Sequence, residues 1–122
     1  MKTVLWISRH QMTPKQYHDL ERIMKDEVRL IQWSETIPDA ASLGKSESSM
    51  TQVDAVAAVL PPDLLGELLK IAGEKPVLRA VSSRLPTGRI VTLSDGRQEQ
   101  EFQFVHVCWE QVLKVEIQTR RL

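Results

Sequence analysis

Ser8-Arg9-His10, directly after the apolar run Thr3–Ile7, is the first cluster in the chain able to do chemistry. Arginine offers a planar fork of donors, serine a hydroxyl, and histidine a group able to move a proton near neutral pH. Thr13-Pro14-Lys15-Gln16 opens a helix just beyond, and a helix start carries free N–H groups and partial positive charge. Ser8, Arg9 and Thr13 therefore form a candidate anion site, with His10 as a candidate proton carrier. The plain alternative is a polar loop in which Arg9 pairs with a nearby acid. A second cluster combines Ser82-Ser83-Arg84 with Thr87-Gly88-Arg89, where two arginines and several hydroxyls offer the same chemistry. Its plain alternative is a turn in which Gly88 serves backbone geometry.

Other chemistries lack their residues. There is no glycine-rich dinucleotide fingerprint and no G-x-x-x-x-G-K-[ST] phosphate loop. The three histidines, His10, His18 and His106, show no metal-ligand spacing, and Cys108 is the sole cysteine. No metal and no cofactor are expected. His18 reads as solvated, His106 as a buried structural residue, and Cys108 as a packed thiol. Trp6, Trp33 and Trp109 read as core or interface area, with stacking on a base as the alternative. Thr119-Arg120-Arg121 reads as solvated charge.

The 122 residues carry 16 Lys+Arg against 16 Asp+Glu, giving a formal net charge of zero. A chain-wide basic field for duplex nucleic acid is thereby excluded. No stretch approaches the ~20 apolar residues of a membrane span, and no signal-peptide core opens the chain. One domain over residues 1–122, in the cytoplasm, is expected.

These residues need elements to position them. Thr3–Ile7, Val28–Trp33, Asp54–Leu60 and Val77–Ser82 read as strands, the first and third apolar enough to be covered on both faces. Tyr17, Leu20, Ile23 and Met24 make one stripe on a first helix. Leu64, Leu65, Leu68, Leu69 and Ile71 make another, entered at Pro61-Pro62 and stopped at Gly73. Alternating strands and helices imply right-handed crossovers and a parallel sheet of order 2-1-3-4. Ser34–Thr51 reads as a short helix over Asp39–Leu43 followed by a mobile loop through Ser42–Thr51.

After Ser82 the rhythm changes. Leu85–Arg89 reads as a turn, Ile90–Leu93 as a short strand, and Ser94-Asp95-Gly96-Arg97 as a hairpin turn. Glu101–Trp109 alternates, with Phe102, Phe104 and His106 on one face, and Val112–Thr119 alternates again. The fold class is α/β: a single Rossmann-like three-layer domain of about four parallel strands with an antiparallel, β-rich C-terminal extension. Ligands in such sheets favour the carboxyl ends of the strands, where the order reverses. That places the loops after strands 1 and 4 at one end.

The first strand ending in Ser8-Arg9-His10, then Met12-Thr13-Pro14-Lys15-Gln16, resembles the opening of small stand-alone CRISPR-associated Rossmann-fold (CARF) proteins. These include proposed ring nucleases. Lys75-Pro76-Val77 through Ser83-Arg84 and the Phe104-Val105-His106-Val107 strand follow a similar order. The chain also looks like small proteins carried on mobile elements of Gram-positive bacteria. The CARF resemblance implies a metal-free homodimer that binds a cyclic or linear oligonucleotide messenger of the cyclic oligoadenylate class. It further implies cleavage as a ring nuclease, with the messenger's 2′-hydroxyl as attacking group. Ser8, Arg9 and Thr13 would bind with Ser82, Ser83, Arg84 and Gly88. Arg9 or Arg84 would steady the developing charge and His10 assist proton transfer.

The rival expectation is a non-enzymatic interaction protein, an accessory of a mobile element. Convergence of Arg9, His10 and Arg84 in one cleft favours the first reading, and their scatter favours the second. A homodimer is also expected from the residues themselves, because Phe102–Trp109 is apolar on both faces and an open edge invites pairing.

Overall fold

The computed structural model describes residues 1–116 and 119–122. In chain order the elements are β1 (Lys2–Ile7), α1 (Pro14–Met24), β2 (Val28–Trp33), α2 (Ala40–Gly44) and α3 (Glu47–Met50). They continue as β3 (Ala55–Ala58), α4 (Pro62–Ala72), β4 (Val77–Thr92) and β5 (Gln98–Gln111). The strands form one sheet of order β2-β1-β3-β4-β5. The first four are mutually parallel, and β5 pairs antiparallel with β4. The fold is α/β with a mixed sheet.

Alternation along β1 explains why its run is continuously apolar. Val4 and Trp6 join Leu20 of α1, Ala55 and Ala57 of β3, and Trp109 of β5. Leu5 and Ile7 point the other way and join Val56 and Ala58, Leu65 and Leu68 of α4, and Leu43 and Met50. Helices thus cover both faces, and β3 is buried at every position. Small alanines there let the two helical layers approach the sheet closely. Trp6 and Trp109, edge to face with centroids 5.7 Å apart, belong to this core.

The helix ends follow their sequence signals. Thr13 Oγ1 accepts from the Gln16 N–H while Gln16 Oε1 accepts from the Thr13 N–H, a complete capping box ahead of Pro14. Gly73, at φ +64, closes α4 and donates its N–H to the Leu69 carbonyl.

Three expectations are corrected. Ser42–Thr51 is not an open loop. Asp39 caps α2, α3 follows, and Leu43, Ser46 and Met50 are buried as anchors. The Ser46 hydroxyl donates to the Leu43 carbonyl, and Lys75 Nζ donates to the Met50 carbonyl. Ser46 is therefore spent inside the segment. Leu85–Arg89 is likewise no turn between strands. It lies within β4, where pairing steps from Pro86↔Phe102 to Ile90↔Gln100 and Gly88 takes φ +84. The reversal comes at Leu93–Arg97, where the Leu93 N–H donates to the Arg97 carbonyl and Asp95 accepts from the Arg97 N–H. Finally, Val112–Glu116 forms no strand. Val112 and Val115 pack against the α4 side of the core instead. Ile117 and Gln118, also in that expected strand, lie outside the described residues.

The consequence for function is a long hairpin. β3 pairs with β4 only through Val77–Arg79, whereas the β4–β5 ladder runs on to Thr92 and Gln98. Beyond Ala80 the two strands leave the parallel body as an arm, rising from the carboxyl end of the sheet.

Candidate functional site

The loop after β1 is held by its backbone. The Ser8 N–H donates to the Trp33 carbonyl at 3.2 Å, and the Ser8 hydroxyl accepts from the His10 N–H at 3.1 Å. The His10 carbonyl accepts from Trp6 Nε1 and from Gln32 Nε2. These bonds fix Arg9 at the point where the sheet order reverses. A cleft of about 210 Å³ opens there, lined by Ser8 and Arg9 after β1, Glu35 and Ile37 after β2, and Val59 and Leu60 after β3. Arg9 is exposed and makes no ion pair among the described residues.

The remaining donors expected at this end are engaged or elsewhere. Ser8 is buried, with its hydroxyl already an acceptor. Thr13 and Gln16 satisfy each other's N–H groups, so the first turn of α1 turns two of its donors inward. Glu35 brings a carboxylate into the cleft wall, which opposes an anion. His10 is exposed but does not line the cleft.

Ser82, Ser83 and Arg84 are not in a loop after strand 4, and this corrects their placement. They stand within β4, opposite His106, Val105 and Phe104. The alternation of β5 keeps the ladder going past the expected stop. The Arg84 guanidinium lies 3.9 Å from the centroid of Phe102, a cation–π contact inside the arm. Gly88 takes its positive φ at the irregularity in β4, with nothing within 4 Å of the Cβ it lacks. Arg9, His10 and Arg84 therefore do not meet in one cleft.

A junction invisible at sequence level fastens the arm to the body. His106 Nε2 lies 3.0 Å from Asp19 Oδ2 on α1, and Arg22 bonds the other oxygen of the same carboxylate. The His106 side chain is only 4% exposed. Its hydrogen bond holds the Asp19 carboxyl below the usual carboxylate range, against partial desolvation and with help from Arg22. The structural role expected for His106 is what the geometry gives. Trp109 adds a second fastening, its Nε1 donating to the Gln16 carbonyl at 3.0 Å.

The arm beyond this junction differs in kind. Phe104 is 77% exposed and Ile90 66%, and Leu85, Val91 and Phe102 are exposed as well. Pairing puts Arg84, Pro86 and Ile90 on the same face as Phe104, Phe102 and Gln100, with Leu85, Val91 and Val105 on the opposite face.

Among the described residues no group of three or more His, Cys, Asp or Glu could hold a metal ion. No helix there is long and apolar enough to cross a membrane. Comparison with protein-family models, curated proteins and solved structures finds no match to this chain.

Proposed function

We propose that this chain is a non-enzymatic interaction protein that associates with another protein through the β4–β5 arm. One observation carries the reading: large apolar side chains are exposed on both faces of a two-stranded arm. A two-stranded hairpin is marginally stable on its own in water, and a contiguous apolar surface of this kind marks interaction sites. The parallel body, read as Rossmann-like from its reversal of order at β1 and β3, is then the platform that aims the arm. The scatter of Arg9, His10 and Arg84 supports the same reading. A role as an accessory of a mobile element, in the cytoplasm, accords with it.

The test is photo-crosslinking in cells from a photoreactive residue at position 104, with position 74 as an exposed control outside the arm. A protein adduct from position 104 and none from position 74 is the expected result. Absence of any protein adduct at 104 overturns the reading.

A second reading is favoured by Arg9, free of ion pairs among the described residues at the crevice where such sheets bind ligands. It is binding of a cyclic or linear oligonucleotide messenger, with cleavage as a ring nuclease. A thermal-shift titration against cyclic oligoadenylates tests it, since a bound ligand raises apparent stability by mass action. On this reading Arg9→Ala weakens binding roughly ten- to a hundredfold, the worth of one charged hydrogen bond. No shift with any member at high micromolar concentration ends it.

A further inference from the structure

We infer that the partner seats as an extended strand on the outer edge of β5, with apolar side chains on the Phe102 and Phe104 face and lysines or arginines on the Glu99 and Glu101 face. This rests on the association reading above and names the partner's chemistry.

The first ground is the edge. β5 ends the sheet and, among the described residues, pairs with β4 alone. Every second residue of an edge strand turns its N–H and C=O outward, a ready template for another strand. Sheets blunt such edges by shortness, proline, irregularities or basic side chains. The other edges of this sheet are blunted in those ways. β2 is six residues long and carries Arg29. β4 beyond Arg79 carries Arg84, Pro86 and Arg89, and its register breaks around Gly88. β5 runs for 14 residues with no proline, glycine, lysine or arginine. A strand of ordinary length, about five or six residues, fits along it.

The second ground is the pattern of the two faces. Phe104 and Phe102 stand on one face, opposite Arg84 and Pro86 of β4, and both are exposed. Gln100 and Gln98 continue that face without charge. Glu99, opposite Val91, stands on the other face, and alternation along β5 puts Glu101 with it. Neither glutamate makes an ion pair among the described residues. Arg84 does not answer them, since it lies over the Phe102 ring on the opposite face. Cross-strand neighbours decide which strands pair. Aromatic beside β-branched residues attract, as do acid beside base, and like charges directly opposite repel. A strand added to β5 therefore meets phenylalanines on one face and carboxylates on the other. The segment that satisfies both alternates apolar and basic residues. Main-chain bonds to the edge supply its affinity, and the alternate side chains its specificity.

Fluorescence anisotropy of the purified full chain with labelled peptides of about ten residues is the test. The probe alternates lysine and valine. A second peptide alternates glutamate and valine, and a third is the probe with every backbone nitrogen methylated. The lysine peptide should bind in the micromolar range and the other two roughly tenfold more weakly or worse. Glu99→Lys with Glu101→Lys should weaken the lysine peptide roughly tenfold and strengthen the glutamate peptide, as two cross-strand pairs change sign. Circular dichroism reports the fold of each variant. Should the double variant fail to fold, Glu99→Gln, at an exposed position, decides by the same readout with a loss of roughly two- to fivefold.

No binding of the lysine peptide at high micromolar concentration overturns the inference. Equal binding of the glutamate peptide overturns it too, by removing the charge pattern, and equal binding of the methylated peptide does so by removing the strand pairing. A dimer in sedimentation, with β5 amides protected from exchange before any peptide is added, gives the edge to a second copy and also overturns it. If the lysine peptide fails while position 104 still crosslinks to a protein in cells, association through the arm stands and the partner chemistry inferred here falls.

Discussion

The parallel body and the hairpin arm are built from similar residue types and solve their burial in opposite ways. In the body, Leu5, Ile7, Leu20 and Leu68 are covered by helices on two sides of the sheet. In the arm, Ile90, Phe102 and Phe104 are exposed, although β4 and β5 stay paired from Leu78 to Thr92 across two irregularities. The body's inner strands β1 and β3 are thus paired on both sides and covered on both faces, whereas β5 and β4 beyond Arg79 pair only with each other. On the proposed reading, that surface is where another protein seats. The β1 crevice makes the same point from the other direction. Its donors are largely satisfied by its own loop and helix cap, and Arg9 is what remains.

The sharpest way to break this contrast is to cut the body. Leu68→Ala, at a position with no exposure between α4 and the sheet, should cost about 2–5 kcal/mol, read as a lower urea midpoint. A loss near zero would mean that the body is as loosely packed as the arm.

Next in size is the fastening between the two regions. Asp19→Ala strands the His106 ring, buried with its bond gone, and should cost about 1–3 kcal/mol. The same pair gives a pH dependence of fixed sign. A carboxyl whose pKa is lowered by folding stabilises the fold above its unfolded value of about 3.9 and loses that contribution as pH falls through the folded value. Wild type should therefore lose stability on acidification below about pH 4, and Asp19→Asn should show a shallower decline in the same urea series.

Gly88→Ala should cost about 1–2 kcal/mol, because space is open around it and only the left-handed backbone resists. That loss should appear in amide exchange of the arm and leave the body's exchange unchanged. Smallest of all, Phe104→Asp should change monomer stability by no more than about 0.5 kcal/mol, as for an exposed site. A large loss in dilute protein would place Phe104 in the chain's own core and erase the contrast.

The body was legible because its signals are local. Continuous apolar runs at Thr3–Ile7 and Ala55–Ala58 mark doubly covered strands, and Thr13, Gln16 and Gly73 mark helix ends by their own chemistry. The strand order followed from the alternation of elements. Pro86-Thr87-Gly88 misled, because proline and glycine read as a turn while an irregularity in a two-stranded ladder absorbs them equally well. That one substitution of strand for turn moved Ser82, Ser83 and Arg84 from a loop to an arm, and the second half of the expected site with them. The Asp19–His106 pair was out of reach for another reason. Its partners lie 87 residues apart, and Asp19 alone reads as one more acid on a helix surface. Ser46 was misread likewise, since burial of a serine depends on the neighbour that accepts its bond.

Amide hydrogen exchange of the purified chain tests the central contrast most directly, because it reads arm and body in one experiment. Exchange at Leu85–Val91 and Gln100–Val105 should be fast, because a two-stranded ladder with exposed faces opens readily. Exchange in β1, β3 and α4 should be slow. Exchange in the arm as slow as in β1 and β3 would contradict an arm left uncovered by its own chain.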